Sequence, residues 1–507
     1  MRRFMILTMA CVLVLAVGSS AQQPNALTAA AAALGVANIK TLQFTGSGAN
    51  FSVGQNFTPT DPWPRVAVKT YTALINYDTT SMRLELLREM GSTMPRGGGA
   101  PFTGEQRQIQ VVSGNYAWNV AAPPPGAPAG GAQAGGGRGP AGPPPPAPQP
   151  AAAAERMLAL WTTPQGFVKA AMANNATTRG ARGGTEVSFT VGGKYKMTGI
   201  INPQNQVERV QTWIDQSIVG DMLVETVYSG YRDFGGVLFP SRIVQSQDGY
   251  PSLDLTISAV TANPAVDIAV PENVRNAQPA AVRVESQRMA DGVYYLTGGT
   301  HHSLAIEMRD HIVLVDTPNN EDRALAVIAK TKELIPNKPI RYLVNTHHHW
   351  DHSGGIRTAI DEGATIVTNQ MNKAFFERAA KTPHTLNPDR LSMSKRSVKI
   401  QTVRDKGELT DGTRTIELYT IAGNEHAADM LIVYLPKEKI LAEADAYSPP
   451  ATATTPLVVT AVPFATALHN NIQRLKLDVQ TITPFHGGRT PDLAELARAA
   501  GKTTTSQ

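Results

Sequence analysis

The segment Arg341-Tyr-Leu-Val-Asn-Thr346 reads as a strand and runs directly into His347-His-His-Trp-Asp-His352, and Ser353-Gly-Gly355 then opens a helix. No other stretch limits the fold and chemistry of the chain so tightly. In an extended loop His347 and His349 point the same way, with Asp351 and His352 just beyond. Imidazole and carboxylate are ligands suited to zinc, and four of them within six residues cannot all serve one tetrahedral ion, so two adjacent metals are expected. Gly354 and Gly355 are expected to let the backbone turn sharply into the helix. All 11 histidines lie between His301 and His486. The single cysteine excludes a disulfide framework, a Cys-rich zinc fold and an iron–sulfur cluster, so His and carboxylate must hold any metal.

The rest of the chain divides by pattern. Residues 1–21 have a short basic head, an apolar run from Phe4 to Val17 and small residues at Ser19 and Ala21, which predicts a secretory signal peptide cleaved after Ala21. No apolar run is long enough to span a membrane. With Arg2 and Arg3 set aside, 44 basic residues face 41 acidic ones, too small a surplus to suggest nucleic acid as a partner. Residues 26–275 alternate apolar and polar positions, as in Leu253 to Ala259 and Val187 to Val191, and predict an antiparallel β domain with a short helix near Pro164 to Ala173. A Pro/Gly-rich insertion at 121–154 is expected to be disordered. After residue 283 short strands alternate with helical stretches such as Glu321 to Leu334, which predicts layered α/β packing over 283–500. The runs Val227-Tyr-Ser-Gly-Tyr-Arg-Asp-Phe-Gly-Gly-Val237 and Phe239-Pro-Ser-Arg-Ile243 resemble the curved half-barrel of periplasmic lipoprotein carriers.

The H-x-H-x-D-H pattern resembles the defining motif of the metallo-β-lactamase fold superfamily. Its other expected positions occur in order: His426 in Ala422-Gly-Asn-Glu-His426, Asp445 in Ala442-Glu-Ala-Asp445, and His486 in Thr483-Pro-Phe-His-Gly-Gly488. The resemblance implies an αββα sandwich and two zinc ions. His347, His349 and His426 would hold the first, Asp351, His352 and His486 the second, and Asp445 would bridge them. It also implies hydrolysis by a metal-bridged hydroxide, with Asp351 as the catalytic residue, and makes Asp316 a residue that steadies the metal loop. His349 stands where di-iron flavoproteins of the superfamily carry Glu, which disfavours a redox iron site. Asp445 replaces the Cys of one lactamase subclass. His348 and Trp350 are expected to point away from the metals, and His301 and His302 lie in a loop between early strands that is within reach of the site.

The expected protein is therefore an exported, periplasmic or secreted zinc hydrolase acting on a small ester, amide or lactam. An exported carrier of a lipid or other hydrophobe, only secondarily catalytic, is the alternative that the half-barrel pattern supports.

Overall fold

The computed structural model describes residues 25–91, 95–121 and 144–502. The expected signal peptide lies outside them, as do residues 122–143 of the expected insertion. Among the described residues no helix is long and apolar enough to cross a membrane.

Residues 41–262 form one antiparallel sheet of 13 strands, closed into a single surface where the first long strand, Thr41–Phe51, pairs with the last, Tyr250–Ala262. The helix Ala153–Thr162 touches strands Ser81–Glu89 and Glu105–Ser113 on one side and Val207–Gln216 on the other. Those strands stand six or seven places apart in the sheet. At about 4.8 Å per strand a flat sheet would separate them by roughly 30 Å, three times a helix diameter, so the sheet must curl around the helix. Leu158, Leu160, Phe167 and Val168 fill the enclosed face with Phe44, Ile75 and Phe239. The insertion ends sooner than its composition suggests. Ala147–Pro148 pairs with Trp118 and Asn119, and the helix begins at Ala153, because the Ala-rich segment Ala151–Ala154 has strong helix propensity and Arg156 anchors the next turn to the carbonyls of Val111 and Trp118.

From Glu285 onward two sheets pack face to face. Strands from Glu285–Ala290 to Ile400–Val403 make a seven-stranded sheet, and strands from Lys406–Thr410 to Thr481–Pro484 make a five-stranded one. Val313, Val315 and Val344 meet Leu418, Leu431, Val433 and Phe485 between the sheets, whereas Leu314 and Leu343 face helices on one outer side and Ile432 and Leu441 face helices on the other. Alternation within each strand thus produces four layers, α, β, β and α. The helix Glu321–Leu334 shows why the outer layer forms. Asn320 caps Arg323 N at 3.0 Å, Glu321 and Asp322 occupy its first turn, Lys332 its last, and Ala324, Val327, Ile328 and Thr331 make a buried stripe.

The curled sheet docks on this sandwich at several points. Asp221 caps the backbone of Thr385 and Leu386, Arg378 pairs with Asp248 at 2.9 Å, and Trp350 meets Trp63 edge-on at 5.6 Å.

Candidate metal centre

The predicted site residues sit where strands of both inner sheets end. Asp316 follows Ile312–Val315, His347 follows Ile340–Val344, Asp445 follows Ile440–Glu443 and His486 follows Thr481–Pro484, while His426 precedes Leu431–Leu435. All seven come together. Potential ligand atoms of His347, His349 and His426 lie within 4.8 Å of one another, as do those of Asp351, His352 and His486. Asp445 stands between the two groups. Its Oδ2 is 2.7 Å from His352 Nε2, 3.4 Å from His426 Nε2 and 3.5 Å from His347 Nε2, and its Oδ1 is 3.0 Å from His486 Nε2.

The hydrogen bonds fix which nitrogen of each ring carries a lone pair. His349 Nε2 donates to the carbonyl of Asn56 at 2.8 Å, and His426 Nδ1 donates to the carbonyl of Gly98 at 2.6 Å. Thr346 gives its hydroxyl proton to Asp316 at 2.6 Å, so its oxygen accepts from His347 Nδ1 at 3.2 Å. A neutral imidazole with one nitrogen donating has only an acceptor left on the other. His349 Nδ1, His347 Nε2 and His426 Nε2 therefore converge as three lone pairs. His349 Nδ1 is buried without a hydrogen-bond partner, and His347 Nε2 and His426 Nε2 face each other at 3.1 Å. Lone pairs so arranged repel one another unless a proton or a metal ion sits between them, and three converging imidazole nitrogens are a donor set that fits a metal. In the second group His352 Nδ1 donates to Asp316 Oδ2 at 3.0 Å, which turns Nε2 toward Asp445 and His486.

Burial, then the neighbouring rings, push His347 and His349 well below the usual imidazole pKa. Burial acts the same way on His352 and His426, but the Asp445 charge overrides it and raises both. For Asp351 and Asp445 burial opposes ionisation, yet the surrounding histidines hold both carboxylates below the usual range. The first group is sealed, with His347 at 0% exposure, whereas the side chains of Asp351 and His486 keep 33% and 22%. Among the described residues the cluster opens to solvent on the side of the second group.

Asp316 is fully buried and accepts from Thr346 N at 2.8 Å as well as from the Thr346 hydroxyl and His352. His348 turns out of the cluster, with its N–H and Nδ1 both 2.9 Å from Asp429, and Trp350 packs on Trp63. His302 is also outside, buried against Tyr295. His301 instead joins the second group. Its Nε2 is 3.2 Å from Asp351 Oδ2 and its ring lies 4.2 Å from that of His486, because Arg323 holds the 301 carbonyl at 3.2 Å. Gly354 and Gly355 make the expected turn into the helix Ile356–Glu362, and they do so with ordinary negative φ. They are needed for close approach, since a Cβ on Gly354 would stand 1.9 Å from the Asn319 carbonyl oxygen and one on Gly355 2.3 Å from Ala324 Cβ.

Sequence reasoning missed Asp429, Glu443 and the carbonyls of Asn56 and Gly98. Glu443 receives the N–H groups of Ala446 and Tyr447 at 2.9 and 3.1 Å, which braces Asp445 at a φ of +61°. Burial pushes the Glu443 carboxyl up to about 8.

Fold and site together define an αββα domain whose His and Asp clusters fit a metal. Residues 296–486 match the metallo-beta-lactamase superfamily, and this stretch contains all seven predicted site residues. Among solved structures, a metallo-beta-lactamase from Pontibacter korlensis is 20% identical over 43% of this chain and 98% of its own, with a TM-score of 0.34. The DIM-1 metallo-beta-lactamase is 19% identical over 43% of this chain and 95% of its own, with a TM-score of 0.33. No curated protein matches the chain.

Proposed function

We propose that the chain is a zinc-dependent hydrolase that holds two zinc ions and acts on a small ester, amide or lactam after export and removal of residues 1–21. The observation that carries this reading is the convergence of the lone pairs of His347, His349 and His426 beside a second His and Asp group that is open to solvent. Nitrogen and oxygen donors without thiolate suit zinc. His347, His349 and His426 would hold one ion, Asp351, His352 and His486 the other, and Asp445 would touch both. Bound zinc supplies a Lewis acid and lowers the pKa of water toward neutrality.

The protein's own groups do the positioning. Asp351 is held as a carboxylate, with Oδ1 accepting from Gln55 Nε2 at 2.9 Å and Oδ2 facing His301 Nε2 at 3.2 Å, so its orientation is set from two sides. Its partial exposure supports a role beside an incoming substrate. Because that contact matters most in the transition state, Asp351→Ala should lower kcat far more than it raises KM. The test is a screen of chromogenic esters and lactams with wild type and Asp351→Ala, with zinc content and melting temperature measured on the same samples. A folded variant that keeps normal kcat would falsify the assignment.

A second reading, an exported carrier of a hydrophobe, is favoured by a cavity of 380 Å³ inside the curled sheet, where Phe44, Tyr71, Met82 and Leu86 face Gln108 and Gln245. That volume suits a small ligand and is too small for a diacyl lipid. Recovery of a bound hydrophobe from purified protein that turns over no ester or lactam would favour it.

A further inference from the structure

Two of the three histidines in the first group are oriented by residues that belong to the other sheet. His349 donates to Asn56 and His426 donates to Gly98, partners that lie 293 and 328 positions away in the sequence. Asn56 is in the loop between strands Thr41–Phe51 and Arg65–Asn76, and Gly98 is in the loop between Ser81–Glu89 and Glu105–Ser113. Both loops are tied to the sandwich independently of the two rings. Phe57 O accepts from Ala428 N at 2.9 Å, Glu425 O accepts from Gly97 N at 2.8 Å, and Asn56 Oδ1 lies 3.2 Å from His348 Nε2. In the second group His352 takes its orienting partner, Asp316, from the sandwich itself. Among the metal-site histidines with a described orienting partner, dependence on the curled sheet is confined to the first group.

The geometry points to the curled sheet as a working part of the metal centre: the carbonyls of Asn56 and Gly98 are positioning groups that set the tautomers of His349 and His426, and Gln55 positions Asp351. The lone pairs of His349 Nδ1 and His426 Nε2 exist only while the opposite nitrogen of each ring is donating, and both acceptors come from the curled sheet. Movement of these loops would free both rings to rotate or change tautomer, while His352 would keep Asp316. The sheet thereby controls affinity at the first metal position through two of its three ligands, and it reaches the second only through Gln55 beside Asp351. This inference rests on the proposed reading of the cluster as a two-metal site.

Gly97 is the most direct lever, because it has a φ of +90° and a Cβ there would stand 2.5 Å from the backbone oxygen of Gln55, wedging the two loops apart. The test uses the full-length protein, with zinc affinities measured by competition against a chromophoric chelator and with the visible spectrum of the cobalt-substituted protein. Gly97→Ala should weaken one of two bound zinc ions about 10- to 100-fold, the usual effect of losing an orienting partner, and change the cobalt spectrum, with the other ion weakened less because only its Asp351 ligand is held from these loops. Asn56→Ala adds no atoms. It removes the side-chain contacts with His348 and the Asp61 carbonyl, and it should weaken the same ion should Gly97→Ala fail to fold. Gly180→Ala, on a distant strand where an added Cβ meets nothing within 4 Å, should match wild type. Folded Asn56→Ala protein with both affinities and the cobalt spectrum unchanged overturns the inference. Wild type that binds no metal overturns the two-metal reading instead.

Discussion

Asp316 offers the sharpest test of how the metal loop is held. Its buried carboxylate accepts from Thr346 N, from the Thr346 hydroxyl and from His352 Nδ1, at 2.8, 2.6 and 3.0 Å. In Asp316→Asn the amide oxygen can still accept from Thr346, but the NH₂ group then faces the His352 N–H. One buried donor is left unpaired, at roughly 1–3 kcal/mol. Asn also tolerates the φ of +54° that Asp316 adopts, so backbone strain adds little. Asp316→Ala strands three donors, Thr346 N–H, the Thr346 hydroxyl and His352 N–H, and adds about 1 kcal/mol for a left-handed Ala, a total of roughly 4–10 kcal/mol, enough to threaten folding. Urea unfolding of zinc-free protein should show the two variants in that order. In the folded Asn variant, chelator competition should show zinc bound 10- to 100-fold more weakly, because His352 has lost the group that orients it. An Asn variant within about 0.5 kcal/mol of wild type, with unchanged zinc affinity, would refute the reasoning.

Zinc affinity should rise with pH. Asp445 raises the pKa values of His352 and His426, so in the zinc-free protein these rings hold protons that a metal must displace, and the competition weakens as pH climbs through those raised values. Affinity measured by chelator competition between pH 5.5 and 8.5 that stays flat would contradict that order of protonation. Gly354→Ala should destabilise the protein by several kcal/mol in urea unfolding, since its Cβ would fall 1.9 Å from the backbone oxygen of Asn319; a variant as stable as wild type would show that the 319 loop yields freely.

Features that depend on local pattern were legible from the sequence. The helix Glu321–Leu334 and the strand Leu431–Leu435 occupy the residues their periodicity and caps suggest, and the spacing of His347, His349, Asp351 and His352 marks the cluster without reference to the fold. What escaped depends on contacts between distant segments. The carbonyls of Asn56 and Gly98 are backbone atoms, and no residue type announces them. His301 reads as one more loop histidine until Arg323 pins its carbonyl. Gly354 and Gly355 look like turn residues, and only the neighbouring 317–319 segment shows that they are there for space. The end of the Pro/Gly-rich stretch was misplaced because Ala151–Ala154 has the composition of a linker and the propensity of a helix start.

Elemental analysis of the purified full-length protein, after dialysis against metal-free buffer, decides whether the histidine cluster holds two zinc ions. Two zinc ions per chain are expected, one for each group joined by Asp445. One ion or none, or iron in place of zinc, would contradict that expectation.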